Sequence, residues 1–235
     1  MLSRVGVFSL LTLVLLLSDS VNAQSLSLKV ITIATRQTDG LQRLQRSARS
    51  FGLSLEIVGS DLPHRPAELD GAEKIRLLKQ SLEKDKGRND LVVLYTEADT
   101  SVLNGAEDEI LKRFTESFPE SRIVFSASRS CFPDESLQER YPSVKKGKRF
   151  LDSKSFIGYA TDLFNLLESA EAENEIKDEQ LIYTQLFLNE QIRVSIDSKS
   201  ELLQSVDVSV DELRLDFSDN GDAYVSGIPS HNNSI

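Results

Sequence analysis

Residues 91–100 read LVVLYTEADT. Leu91 to Tyr95 are apolar or aromatic without a break, too short for a helix and with no face left for water. That is the pattern of a strand buried on both sides. The run passes straight into Thr96-Glu97-Ala98-Asp99-Thr100, so two carboxylates two residues apart leave the end of this strand. Working outward, Leu26 to Ala34 (LSLKVITIA) is another β-branched run that ends in a polar tail, Thr35-Arg36-Gln37, and Leu53–Val58 is a third. Arg122–Ala127 is a fourth. Between the strands lie helical spacings. Leu41, Leu44, Ala48 and Phe51 precede Gly52, and Ala72, Ile75, Leu78 and Leu82 precede Gly87. The third helix starts with Glu107-Asp108-Glu109 and ends with Lys112-Arg113, charges that suit the helix dipole. Strands alternating with helices in this way predict an α/β fold, a mainly parallel sheet with helices on both faces. Such sheets bind ligands at the carboxyl ends of their strands. The loops that begin at Thr35, Thr96 and Ser128 are therefore the candidates for function.

Past residue 128 the alternation fades. Ser128 to Arg149 carries Pro133, Pro142 and Gly147 and reads as loop, whereas Phe156–Ala160 reads as a short strand. Leu163–Ala170 and Gln180–Leu188 have helical character, with an acidic stretch, Glu168 to Glu179, between them. Gln191–Ile196 and Leu213–Phe217 are strand candidates, and 218–235 reads as a polar, frayed tail.

The chain of 235 residues has a net charge of −10, which disfavours nucleic-acid backbones and anionic membrane surfaces. Hydrophobic content of 40% and charged content of 27% exclude wholesale disorder. Arg4, the apolar run Val5 to Leu17 and Val21-Asn22-Ala23 together predict a secretory signal peptide cleaved after Ala23. The expected location is therefore the secretory pathway, in the endoplasmic reticulum lumen or outside the cell, with no membrane attachment after cleavage. Cys131 is the only cysteine, so there is no disulfide framework and no zinc site of the cysteine-cluster type. With His64 and His231 as the only histidines, any metal would be held mainly by carboxylates, which suits Mn²⁺, Mg²⁺ or Ca²⁺.

Glu97 and Asp99 are candidate ligands for an ion that bridges a diphosphate, and a solvated turn is the plainer reading of the pair. Lys74, near the start of the second helix, is a candidate phosphate partner or a surface lysine. Asp178 and Glu179 stand before an apolar helix, either as caps or as part of a metal site. His231 is a candidate ligand or an unordered tail residue. Asn232-Asn233-Ser234 is a glycosylation sequon.

Several segments are more specific than spacing. Ile31-Thr32-Ile33-Ala34-Thr35 with Gly40 and Arg46-Ser47-Ala48, then Gly71-Ala72-Glu73-Lys74-Ile75-Arg76-Leu77-Leu78-Lys79, Leu111-Lys112-Arg113-Phe114 and Val124-Phe125-Ser126-Ala127 form one set. Arg140-Tyr141-Pro142, Gly147-Lys148-Arg149-Phe150-Leu151, Phe156-Ile157-Gly158-Tyr159-Ala160, Asp178-Glu179-Gln180-Leu181-Ile182-Tyr183-Thr184 and Val210-Asp211-Glu212-Leu213 with Phe217 continue it. Together they resemble the glycosyltransferase domain of the procollagen lysyl hydroxylases over about 28–217. The resemblance implies a GT-A-like fold with a Rossmann-like sheet, and a glycosyltransferase-like domain over 24–217. It also implies transfer of a hexose from a UDP-sugar to hydroxylysine of collagen, with Mn²⁺ as cofactor. Carried over by position, Lys74 and Glu179 are the implied catalytic residues. Thr35, Lys74, Glu97 and Ser153 are implied donor contacts, and Glu97, Asp99, Asp178 and His231 implied metal ligands. The implied partner is a collagen-like acceptor or a lysyl hydroxylase family protein. The chain is expected to carry only the first domain of that family, without the hydroxylase, and a truncated product of a longer gene is one reading of its length.

The departures sit at the reaction centre. Thr100 stands where the family has a second aspartate, Asp152-Ser153-Lys154-Ser155 replaces Asn-Ser-Gly-Gly, and Ser128 replaces a glutamate. Two readings therefore stay open at this stage: an active transferase, or a catalytically degenerate fold that serves as a binding or partner module.

Overall fold

Both faces of the strand Leu91–Thr96 (β3) are buried, and its neighbours follow from that. In the computed structural model, which describes residues 25–62, 69–173, 176–190, 193–205 and the backbone of 215–217 and 223–225, β3 lies third in a six-stranded sheet of order β2-β1-β3-β5-β4-β6. The strands are Ser27–Ile33 (β1), Leu55–Val58 (β2), Ile123–Ser128 (β4), Phe150–Tyr159 (β5) and Val194–Ile196 (β6). All run parallel except β5, which is antiparallel to both β3 and β4. The helices are Asp39–Ser50 (α1), Gly71–Leu82 (α2), Glu107–Ser117 (α3), Ala160–Ala172 (α4) and Glu179–Leu188 (α5).

Alternate residues of the strands feed two cores. Val92, Leu94, Val124 and Ile157 pack with Leu44, Ala48, Ile110 and Phe114 of α1 and α3. Val93, Tyr95, Phe125 and Phe156 pack on the other face with Ile75, Leu163 and Ile182 of α2, α4 and α5. This is the period-two alternation of a strand, with helices covering both sides. Each helix has a local reason to start. The Thr38 hydroxyl accepts from the Leu41 amide at α1. Asp70 and Glu73 form a capping box at α2, each side chain accepting from the other's backbone N–H.

The largest difference from the sequence reading is β5. Phe156–Ala160 was expected to be a short strand, yet the strand begins six residues earlier, at Phe150. The pairing of β4 with β5 steps from Phe125↔Phe156 to Ser126↔Asp152, so Ser153, Lys154 and Ser155 are extra residues on one side. A bulge of this kind bends the strand and re-aims its side chains. Its polar sequence carries no strand alternation, so the run has no assignment from sequence. The segment 128–149 is not wholly irregular, because Glu135–Arg140 forms a 3₁₀ turn capped by Asp134. The strand expected over Gln191–Ile196 is described from Val194, and Leu213–Phe217 appears as Leu215–Phe217 (β7). Ala223–Val225 (β8) pairs antiparallel with β7, which corrects the expectation of a frayed chain at those three residues. No helix among the described residues is long and apolar enough to cross a membrane. The predicted signal peptide, His64, His231 and the sequon lie outside the described residues.

An aromatic cluster ties α5 to the sheet. The Phe156 ring stacks on Tyr95 at 4.8 Å, lies 4.8 Å from Phe125, and meets Tyr183 of α5 edge-on at 5.7 Å. Phe156 is 1% exposed. Truncation there removes a ring from a close-packed core and leaves a cavity, which costs about 3–5 kcal/mol. Phe156→Ala should lower the unfolding free energy by that amount, measured by denaturant titration followed by circular dichroism. A loss below about 1 kcal/mol would show that the cluster does not anchor α5.

Candidate functional site at the carboxyl edge of the sheet

The chain leaves β1 for β2 on one side and returns to β3 on the other, so strand order reverses between the ends of β1 and β3. There the Thr32 hydroxyl donates to the carbonyl of Thr96 at 2.7 Å, and the Thr96 hydroxyl meets those of Ser155 at 2.7 Å and Ser101 at 2.6 Å. The Glu97 amide donates to the Lys154 carbonyl at 2.9 Å, one step past the last ladder pair. The β5 bulge therefore holds the start of the Thr96–Thr100 turn, and Glu97 leaves it in a fixed direction.

Glu97 meets α2 and α5. Lys74 Nζ lies 2.5 Å from Oε1 of Glu179 and 3.7 Å from Oε1 of Glu97. The other Glu97 oxygen accepts from the Thr100 hydroxyl at 3.4 Å. The three charged side chains are 29%, 28% and 22% exposed for Lys74, Glu97 and Glu179. Burial pushes the Glu97 carboxyl up from its ordinary value. Lys74 and Lys154 pull it down, while Glu179 and Asp152 push with the burial. Below the cluster, burial raises the Tyr95 and Tyr183 hydroxyls, so both stay protonated. With Ile33, Lys74, Ser153 and Glu179 these rings line a notch of about 10 Å³, room for one water. The notch has no room for a larger ligand.

One close approach brings the cluster together. Gly71, the first residue of α2, donates its amide to the Lys177 carbonyl at 2.7 Å. A Cβ at Gly71 would fall 2.3 Å from the Glu179 nitrogen and 2.6 Å from the Lys177 oxygen. Only glycine lets the amino-terminal ends of α2 and α5 meet this closely. Lys74 and Glu179, 105 residues apart in sequence, then form an ion pair.

The other residues expected at the site have different surroundings. Asp99 is turned to the start of α1, where its carboxylate accepts from the Thr38 hydroxyl and its carbonyl accepts from Arg43 at 3.0 Å. Gly40 makes room for it, since a Cβ there would lie 2.4 Å from the Asp99 Cα. Asp178 caps α5, its Oδ1 accepting from the Leu181 amide at 2.9 Å. Thr35 is half-buried at the end of β1, beside Gly59. Ser153 is buried, and its amide donates to Oε1 of Gln180 at 2.7 Å.

Sequence reasoning gave no role to two residues that hold this edge. Gln180 also donates to the Leu151 carbonyl at 2.8 Å and so pins β5 to α5. Asp152 accepts from the Lys154 amide at 3.1 Å within the bulge and from the Ser205 hydroxyl at 2.6 Å. Gln180 was visible only as part of the Asp178-Glu179-Gln180 run, and nothing in its spacing signals a contact with β5.

The Mn²⁺ implied by the sequence resemblance needs several oxygen ligands around one point. Among the described residues no group of three or more His, Cys, Asp or Glu side chains is placed to hold a metal. The positive observations agree: Asp99 faces α1, Asp178 is engaged as a cap, and an ammonium pairs with both Glu97 and Glu179. Among the described residues, the arrangement does not fit the ion.

Residues 24–233 match the family model described as the PLOD GT domain. The chain belongs to this family. Procollagen-lysine,2-oxoglutarate 5-dioxygenase 1 of Mus musculus is 39% identical over 199 residues, 81% of this chain and 27% of that protein. The multifunctional procollagen lysine hydroxylase and glycosyltransferase of Caenorhabditis elegans is 35% identical over 83% of this chain and 28% of its own length. The human multifunctional procollagen lysine hydroxylase and glycosyltransferase LH3 is 35% identical over 86% and 28%. The PLOD-type chain thus spans little more than a quarter of these relatives. Among solved structures, a glycosyltransferase involved in glycosylation of the major capsid of PBCV-1 aligns at 11% identity with a TM-score of 0.47, over 73% of this chain and 82% of its own.

The Gly71 contact makes a direct prediction for this PLOD-type domain. Gly71→Ala forces apart the backbone at Lys177 and Glu179, which cannot yield as a side chain would, a strain of about 1–3 kcal/mol. Thermal unfolding should show a lower midpoint for Gly71→Ala and almost none of that loss for Gly87→Ala, whose Cβ meets open space. Equal effects at both glycines would remove the close approach as the cause.

Proposed function

We propose that this domain is a collagen-directed glycosyltransferase of the secretory pathway, acting in the endoplasmic reticulum lumen or outside the cell. Its donor is a UDP-sugar and its acceptor the hydroxyl of a hydroxylysine in a collagen-like chain. The observation that carries this reading is the Lys74–Glu179 pair at the strand-reversal edge of a chain whose family match runs over 24–233. The names of the relatives support the acceptor class, because they act on procollagen lysine and two of the three also carry glycosyltransferase in their names. The same relatives give no support to a non-catalytic binding module.

The chemistry asked of the site is limited. The acceptor oxygen bonds to the anomeric carbon as the bond from that carbon to the diphosphate breaks. The acceptor proton passes to a base and UDP departs. Positive charge near the leaving diphosphate lowers the barrier. Lys74 supplies it, and Glu179 aims the ammonium by holding it. Glu97 and the bulge residue Ser153 border the place where the donor lies, and Thr35 closes it on the β1 side. Because Glu97 carries a raised carboxyl in a half-buried setting, it is the better candidate for taking up a proton. The finer assignments of hexose, acceptor sequence and partner follow from assay.

The test is incubation of the chain with UDP-galactose or UDP-glucose and a hydroxylysine-containing collagen peptide, read by mass spectrometry for one added hexose. Addition of a hexose is expected, with at least a hundred-fold loss of rate in Lys74→Met and partial recovery in Lys74→Arg. No added hexose from either donor, with the protein folded, overturns the reading.

A further inference from the structure

The described carboxylates at the end of β3 do not converge on an ion. They converge on Lys74. Its Nζ is 2.5 Å from Glu179 and 3.7 Å from Glu97, and all three side chains are largely withdrawn from water. A hard divalent ion sits about 2.1 Å from each oxygen ligand. An ion bound to Glu179 Oε1 and Glu97 Oε1 would therefore share the Lys74 position and meet its charge at close range. The ammonium is not there by chance of rotamer. Gly71 presses the first turn of α2 onto the first turn of α5, and Lys74 lies one turn along α2 from that contact. The two remaining acidic candidates are drawn off, Asp99 to Thr38 and Asp178 to the Leu181 amide. At the position where a second aspartate is expected, Thr100 offers Glu97 a hydroxyl that donates. It satisfies the carboxylate and adds no charge with which to hold an ion.

We propose that the Lys74 ammonium is the resident cation of this site, occupying the place between Glu97 and Glu179, so that the chain binds Mn²⁺ weakly and takes a uridine diphosphate without metal. This rests on the glycosyltransferase reading for the diphosphate and on geometry alone for the cation. One positive charge held by two carboxylates leaves the cluster net negative by itself. Lys154, exposed on the bulge beside Glu97, supplies a second cation at the same edge. The pair replaces the double charge of a metal with two single charges on separate elements.

Two titrations of the whole chain test this. In the first, Mn²⁺ is titrated into the unmodified protein, Lys74→Met and Lys74→Arg, followed by calorimetry. The unmodified chain and Lys74→Arg should bind weakly. Lys74→Met, which frees two facing carboxylates, should bind at least ten-fold more tightly, and Lys74→Met with Glu97→Gln should lose that gain. Tight Mn²⁺ binding by the unmodified chain overturns the proposal, as does a folded Lys74→Met variant that gains nothing. If Lys74→Met does not fold, the titration of the unmodified chain decides alone. In the second, UDP is titrated with Mn²⁺ and with a chelator. Equal affinity in both supports the proposal. Binding that requires Mn²⁺ overturns it and leaves the glycosyltransferase reading standing. Binding in neither condition overturns the donor reading, while the Mn²⁺ titration still decides the cation.

Discussion

Two helix starts meet at a point where only a hydrogen atom fits. The first residue of α2 is a glycine whose missing Cβ would overlap the Glu179 backbone, and its amide bonds the carbonyl before α5. Much of the candidate site depends on that contact. It sets the depth at which α2 sits on the sheet, brings Lys74 to Glu179, and places both beside the residue that follows β3. The sheet supplies the other half of the geometry. The three-residue bulge in β5 extends the pairing of β3 by one amide and so fixes Glu97 against the helices. Neither device suffices alone. A straight β5 would release the turn after β3, and a larger residue at 71 would part the helices.

The legible part of the fold was the part with a strong period. β1 to β4 show apolar runs, the first two helices show spacings of three and four, the third is marked by the charges at its ends, and each lies within a few residues of its reading. What periodicity does not carry is direction. Phe156-Ile157-Gly158-Tyr159-Ala160 reads as a strand, but nothing in it says that it runs against its neighbours. Its first half is hidden because Asp152-Ser153-Lys154-Ser155 is polar and the bulge interrupts the alternation of an ordinary strand. Local sequence logic fails most readily where function or its scaffolding takes precedence.

The candidate site divides in the same way. Lys74, Glu97 and Glu179 were each picked out from the sequence, and they do stand together, though their pairing across 105 residues could not be read from spacing. Asp99 and Asp178 were picked out too. Asp178 has a local duty that the sequence does contain, since it precedes an apolar helix, whereas Asp99 is engaged by Thr38, 61 residues away, a contact that spacing does not show. Gln180 and Asp152 were passed over because long-range polar contacts leave no periodic trace. Family membership accounts for the resemblance carried by the scaffold segments.

The single thiol has its own consequence. Cys131 is 5% exposed, its Sγ donates to the Asp134 carbonyl at 3.3 Å, and burial raises its pKa. Exchange needs thiolate and access, and this sulfur has little of either. Where thiols and disulfides exchange, a protein with one exposed sulfhydryl becomes a trap for mixed disulfides. Held against the residue that caps the 3₁₀ turn, Cys131 is shielded from such exchange.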